Sequence, residues 1–239
     1  MQDKPKVDKA EVDKAFEALK SFDWGSEPKV LKGIDDAIVA TAGDADAKEL
    51  EARLAAVLKT NISRAAKDFV CRALRVVGTA ASVPTLAAML EDKDLSHPAR
   101  YALERIPAPE AGKALCAAVD KVNGPLKAGV IGSLGVRGDD EAVAALIKAL
   151  GDGDAAIARA AACALGNIGT AEAAKALVQA KAQGAEEVKN AVADAAFVAA
   201  EKLAKAGKKA EAVAVYKAFS GSDQPKHIRL AATRGMLGK

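Results

Sequence analysis

At 239 residues, with 35 basic against 32 acidic side chains and a net charge of +3, the chain lacks both the bias of a charged tail and the basic footprint of a nucleic-acid binder. Hydrophobic residues make up 51% and aromatic residues only 3%, so alanine, the best helix former, supplies most of the apolar share. No alternating valine- or isoleucine-rich run reads as a strand and no run of apolar residues is long enough for a membrane-spanning helix, so the expected class is all-α with no membrane partner.

The start, Met1 followed by Gln2-Asp3-Lys4-Pro5, reads as no signal peptide; it fits a mature terminus with an added methionine as well as a native cytoplasmic start. Residues 6 to 21 predict an amphipathic helix with Val12, Phe16 and Leu19 on one stripe. Ser21-Phe22-Asp23-Trp24-Gly25 is the richest aromatic spot in the chain. Residues 28 to 41 (Val30, Ile34, Ile38) and 45 to 59 (Leu50, Leu54, Leu58) predict two more helices. Terminal units of an array must hide one face from water and so differ in sequence, which makes 1–61 a set of capping helices. Trp24 is expected to pack into that cap; the alternative is a binding anchor, because tryptophan is enriched at interface hot spots.

A period then sets in. Leu74, Leu103, Leu134 and Leu165 are 29, 31 and 31 residues apart, and each is followed twelve residues later by Leu86, Leu115, Leu146 or Leu177. Four positions after each first leucine stands a helix breaker, Gly78, Pro107, Gly138 or Gly169. The pattern predicts helical hairpins whose apolar stripe must be covered by the next hairpin. In the clearest unit, Leu165 and Ile168 end one helix, Gly169 supplies a permissive C-terminus, Thr170 caps the next helix, and Glu172 meets the positive end of its dipole. Asp139 is the corresponding cap one unit earlier. Arg137 replaces an apolar residue found at Val77, Ile106 and Ile168, and Lys181 replaces Leu90, Val119 and Leu150; both read as drift within a repeat. Cys71, Cys116 and Cys163 lie 45 and 47 apart, with no C-x-x-C pair and with His97 and His227 distant, so they read as small buried helix residues rather than zinc ligands.

Beyond residue 183 the register changes. Residues 186 to 205 predict a longer helix and Glu211 to Tyr216 opens its partner across a Gly207 turn. Residues 226 to 237 predict a last helix with no second helix to follow. It reads either as one end of a longer protein or as a lid across the stack, and the first reading is preferred.

The strings Ala164-Leu165-Gly166-Asn167-Ile168-Gly169 and Glu141-Ala142-Val143-Ala144-Ala145-Leu146, closed by Asp152-Gly153-Asp154, resemble the HEAT-repeat family in its short bacterial form, the phycobilisome-lyase-type HEAT-like repeats. The resemblance covers 62–183 as four HEAT-like repeats. It implies a right-handed alpha-alpha superhelix (a HEAT/armadillo-like solenoid), second helices along a concave surface, and protein–protein contact as the usual role. The hairpin carrying Leu203, Gly207, Ala212 and Tyr216 resembles a tetratricopeptide unit, so 184–239 divides into an irregular hairpin and a half repeat. Ser63 to Arg72 and Ala99 to Pro107 look like HEAT-rich exported bacterial proteins, which would imply an exported protein; the alternative compartment is the cytoplasm.

No catalytic motif survives inspection. Gly132-Ser133-Leu134-Gly135 fails the G-x-S-x-G pattern and no strand precedes it. Gly151-Asp152-Gly153-Asp154 lacks the remaining oxygens of a calcium loop and reads as an inter-repeat turn with Asp154 as a cap. The expectation is a non-catalytic scaffold or interaction module with no cofactor and no nucleic-acid partner. Its partner would be a protein, a peptide, or further domains of its own longer chain. Thr85, Met89, Lys113, Ala117, Lys148, Lys175 and Gln179 are the candidate exposed residues of the second helices, by family geometry and helical spacing. Two enzyme alternatives follow from resemblance: a phycobilin-lyase-like tetrapyrrole site near Tyr101 and Glu104, and a HEAT-like DNA glycosylase using Asp23, Asp35 or Asp36 near Trp24.

Overall fold

The computed structural model describes residues 8–41 and 46–238, and among these it is built from fourteen α-helices and three short 3-10 turns, with no strand. It divides into two compact units, Met1–Leu115 and Cys116–Lys239.

In the first unit α1 (Lys9–Leu19) opens on Asp8, whose carboxylate accepts the Ala10 N–H at 2.9 Å. The part of the expected 6–21 helix before residue 8 lies outside the described residues. The expected 28–41 helix is two pieces, a 3-10 turn Pro28–Leu31 and then α2 (Lys32–Thr41), because Pro28 starts the segment in a tight turn. Then come α3 (Asp46–Leu58), α4 (Arg64–Val77), a 3-10 turn Ala80–Ser82, α5 (Val83–Ala87), α6 (Ser96–Leu103) and the start of α7 (Pro109–Val119). α2 packs on α4 and α4 on α6, while α3 packs on α4 and on the 3-10 turn that leads into α5.

The second unit follows one rule throughout. α8 (Gly124–Arg137), α10 (Ala155–Ile168) and α12 (Glu186–Lys205) form one layer; α9 (Val143–Leu150), α11 (Ala171–Ala180) and α13 (Lys209–Ala218) form the other, and α14 (Lys226–Met236) rests on α12 and α13. Each hairpin touches the hairpins before and after it, which makes the array a HEAT-like helical solenoid.

All eight periodic leucines, from Leu74 to Leu177, are fully buried. Burying a leucine side chain is worth about 2 kcal/mol, so the period marks the core rather than the surface. The stack is tightened by small residues. A Cβ on Gly135 would lie 2.8 Å from Ala164 Cα, and one on Gly166 would lie 2.7 Å from Ala195 O and 2.9 Å from Ala195 Cα. Gly138 and Gly169 end α8 and α10 in the left-handed region at φ 74° and 71°, and Thr170 accepts the Ala173 N–H at 3.1 Å, as the spacing predicts. Gly78 differs: its φ is −68°, and its missing side chain leaves room for Ile106, whose Cδ1 lies 2.9 Å from where a Cβ would sit.

The two apolar-to-charged exchanges in the repeat are compensated rather than idle. Arg137, whose side chain is buried, donates its Nε to Asp139 at 2.6 Å. Asp139 therefore stands at the cap position without capping; its carboxylate is occupied by Arg137. Lys181 reaches the end of α13, donating to Ala218 O at 2.8 Å, with Asp223 at 3.5 Å. Lys202 does the same at the end of α10, donating to Asn167 O and lying over Gly169. Cations at helix C-termini satisfy carbonyls that have no intrahelical partner.

Candidate interaction surface

In the second layer, residues at i, i+3 and i+4 share a face, so each helix buries one stripe and exposes the opposite one. On α9 the stripe Val143, Leu146, Ala149 and Leu150 faces inward, which leaves Ala144 and Lys148 outside. On α11 the inward stripe is Ala173, Ala174, Leu177 and Ala180, leaving Lys175 and Gln179 outside. On α13 Ala212, Val215 and Tyr216 face in, and Val213 and Lys217 face out. On α7, Lys113 and Ala117 are exposed. Lys148 is not a free cation: it pairs with Asp120 at 2.7 Å and holds that carboxyl below its usual range through the hydrogen bond and the charge.

Two of the expected surface residues sit elsewhere. Met89 is buried, at 8% exposure, and Thr85 is half-buried. α5 is only five residues long, and the chain after it tightens through Met89 N–H to Leu86 O and Leu90 N–H to Ala87 O, at 3.0 and 3.1 Å. A tightened turn rotates the next side chain away from its α-helical direction, which carries Met89 into the core.

Trp24 is 70% exposed, so it does not fill the cap. Phe22 makes the aromatic contact there instead, against Phe69 of α4 with ring centroids 6.4 Å apart. Ser63, which caps α4, also donates its hydroxyl to Phe22 O at 2.5 Å. Past that anchor the chain turns: Ser26 N–H donates to Asp23 O at 2.9 Å, Asp23 N–H to Ser26 Oγ at 3.0 Å, and Trp24 N–H to Asp23 Oδ1 at 2.9 Å. Trp24 is thus held outward on a turn fixed at its base.

A feature absent from the sequence reading joins α3 to the next hairpin. Glu51 is 3% exposed, and its carboxylate accepts the Thr79 N–H at 2.7 Å, the Thr79 hydroxyl at 2.9 and 3.0 Å, and the Ser82 hydroxyl at 2.5 Å. It serves the start of the second helix from 28 residues away in the chain. Nothing in its local sequence distinguishes it from the exposed acids around it.

The cysteines divide by depth. Cys71 is buried, and burial, with Asp68 nearby, pushes its thiol up to about 12; Cys116 is half-buried and raised chiefly by burial; Cys163 is exposed on α10, contrary to expectation, because it lies on that helix's outer face. Gly151 to Asp154 forms the turn its spacing predicts, with Asp154 accepting the Ala156 N–H at 2.8 Å and Asp152 accepting Lys127 Nζ at 2.8 Å.

The groups named for the two enzyme alternatives have these surroundings. Tyr101 lies beneath the Arg75 guanidinium at 4.5 Å, and Glu104 acts on the charge of Arg100. Asp23 binds its own turn, Asp36 pairs with Lys32, and Asp35 is raised by burial first and by Asp36 second. Among the described residues no group of three or more His, Cys, Asp or Glu side chains is placed to hold a metal ion, and no helix is long and apolar enough to cross a membrane.

The family model described as HEAT repeats matches residues 112–196. No curated protein matches. Among solved structures, lipovitellin superposes with a TM-score of 0.67 at 14% identity, covering 98% of this chain and 28% of that one, so the chain spans little more than a quarter of its length. Human deoxyhypusine hydroxylase in complex with glycerol gives a TM-score of 0.38 at 17% identity, covering 97% of each chain. An engineered protein gives 0.41 at 20% identity, covering 85% of this chain and 95% of that one. At these identities the lipovitellin likeness speaks to fold alone. The hairpins, their caps and the family match agree that residues 112–196 carry HEAT repeats.

Proposed function

We propose that the protein is a non-catalytic interaction module that holds a segment of another protein, or of its own longer chain, against the exposed face of its second helices. One observation carries this reading. In the second unit the outward residues of α9 and α11 (Ala144, Lys148, Lys175 and Gln179) combine small side chains with cations, and Lys175 has no acidic partner among the described residues. Alanines let a partner helix approach closely, and lysine ammoniums attract its carboxylates. Trp24 supplies a separate anchor on the first unit. Its fixed base limits the entropy lost on contact, the usual requirement of a hot spot. In this reading residues 1–61 cap the array and 184–239 close it.

The test is site-specific photo-crosslinking. A photoreactive side chain placed at Ala144 or Gln179 should trap one discrete partner in the native cell extract, while the same group at Asn167 or Arg159, exposed on the first-helix layer, should trap it far less. Equal yields from both layers would defeat the assignment. The two enzyme alternatives have their own readouts: a visible spectral change on adding a linear tetrapyrrole, and salt-sensitive binding of DNA.

A further inference from the structure

The basic residues are not spread evenly. The stretches Arg64–Val77 and 96–105 hold Arg64, Lys67, Arg72, Arg75, Arg100 and Arg105 against only Asp68 and Glu104, a net charge of +4 where the whole chain carries +3. Every other part of the sequence together is therefore slightly acidic. These two stretches are α4 and α6 with its last turn, adjacent first helices of the first unit.

The repeat places their outward residues in rows. Arg72 and Tyr101 both stand two residues before a periodic leucine, and Val76 and Arg105 both stand two after. All four are exposed. Between the rows the Arg75 guanidinium stacks over the Tyr101 ring, with 4.5 Å from its central carbon to the ring centroid. Two of the cations are balanced locally: Arg72 by Asp68 at 2.9 Å, and Arg100 by the charge of Glu104. Arg75 and Arg105 have no carboxylate partner among the described residues, and Arg75 Nε is buried with no hydrogen-bond acceptor. In the second unit, by contrast, Lys127 and Arg137 of α8 are both paired, with Asp152 and Asp139.

An unmatched guanidinium held over an aromatic ring has already lost much of its side-chain freedom, so taking a carboxylate through two N–H groups costs it little further entropy. We propose that the outer face of α4 and α6 binds an acidic protein segment, whose carboxylates pair with Arg75 and Arg105 and whose apolar side chains cover Val76 and Tyr101. A protein partner fits better than nucleic acid. The patch is two helices wide and bordered by the carboxylates of Asp35, Asp36, Asp68 and Asp94, which would repel a continuous phosphate backbone. This surface lies on the first-helix layer and is independent of the second-helix face.

The test is fluorescence anisotropy with a fluorescein-labelled, glutamate-rich peptide containing interspersed leucines, using the whole chain. The expected result is binding that weakens as salt rises and that falls at least about tenfold in the Arg75→Gln/Arg105→Gln variant, which corresponds to about 1.4 kcal/mol. Arg159→Gln, an exposed cation of the second unit, should leave binding within twofold, roughly the scatter of a surface substitution. Arg105→Gln alone alters only an exposed residue beyond the end of α6, so it reports on the site even if the double variant folds poorly. Undiminished binding in Arg105→Gln and in the double variant, an equal loss in Arg159→Gln, or tighter binding of a single-stranded oligonucleotide through the same arginines would overturn the proposal.

Discussion

Glu51 shows what one side chain contributes here. Acidic residues are rarely taken fully inside unless their oxygens are satisfied, and this one meets four donor contacts from Thr79 and Ser82. Replacing it by alanine would leave an N–H and two hydroxyls without their acceptor at the entry to a hairpin. Glu51→Ala is expected to lower the unfolding free energy by about 3 kcal/mol, against less than about 0.5 kcal/mol for Glu17→Ala on exposed α1. Urea unfolding of the two variants decides the matter; equal midpoints would show that water replaces the lost acceptor. Residues of this kind mark the limit of what the sequence discloses. Thr170, Asp154, Gly138 and Gly169 were legible because a cap or a helix stop acts within four residues. Glu51 acts at a separation of 28 residues, and Trp24 and Met89 were misplaced because their directions depend on local turns rather than on the helical period.

At the scale of the helix, three glycines of similar sequence setting have opposite roles. Gly132 lies on the exposed side of α8, and a Cβ there would meet nothing within 4 Å. Its replacement by alanine should stabilise the protein by about 1 kcal/mol, the ordinary helix-propensity gain. Gly135 and Gly166 face the next helix so closely that an added Cβ would collide with the backbone of Ala164 and Ala195. Each alanine substitution there should cost roughly 1–3 kcal/mol by forcing α8 from α10, or α10 from α12. Thermal melts of the three single variants should therefore move in opposite directions. A common sign would mean that the helices can slide apart without penalty. The strings that carried the family resemblance include Gly166, so the spine was visible in outline, but which glycines face a neighbour and which face water was not.

Beyond single helices, a stack such as the second unit, in which each hairpin packs on those beside it, distributes damage locally. Leu165→Ala removes a fully buried side chain from the last turn of α10 and should cost roughly 2–5 kcal/mol. Amide hydrogen exchange should then speed up in α8, α10, α11 and α12, which surround the vacancy, while α2 and α4 of the first unit keep their protection. Uniform acceleration along the chain would mean a single cooperative block. The period of the leucines disclosed this architecture because it is set by burial, the strongest term in folding. The faces that meet a partner were less readable, because an exposed position is constrained by what it touches rather than by the chain itself.

The close approach of α8, α10 and α12 also bears on how such a chain could lengthen. α10 offers Ala164 as a peg to the helix before it and Gly166 as a notch to the helix after it. Peg and notch therefore occur on the same element, two residues apart. A duplicated copy of the hairpin α10–α11 would bring a peg that fits the original's notch and a notch that fits the peg at Ala195. Growth by tandem copying needs no compensating substitution at that seam, and the 31-residue spacing shared by Leu134 and Leu165 is what such copying would leave behind.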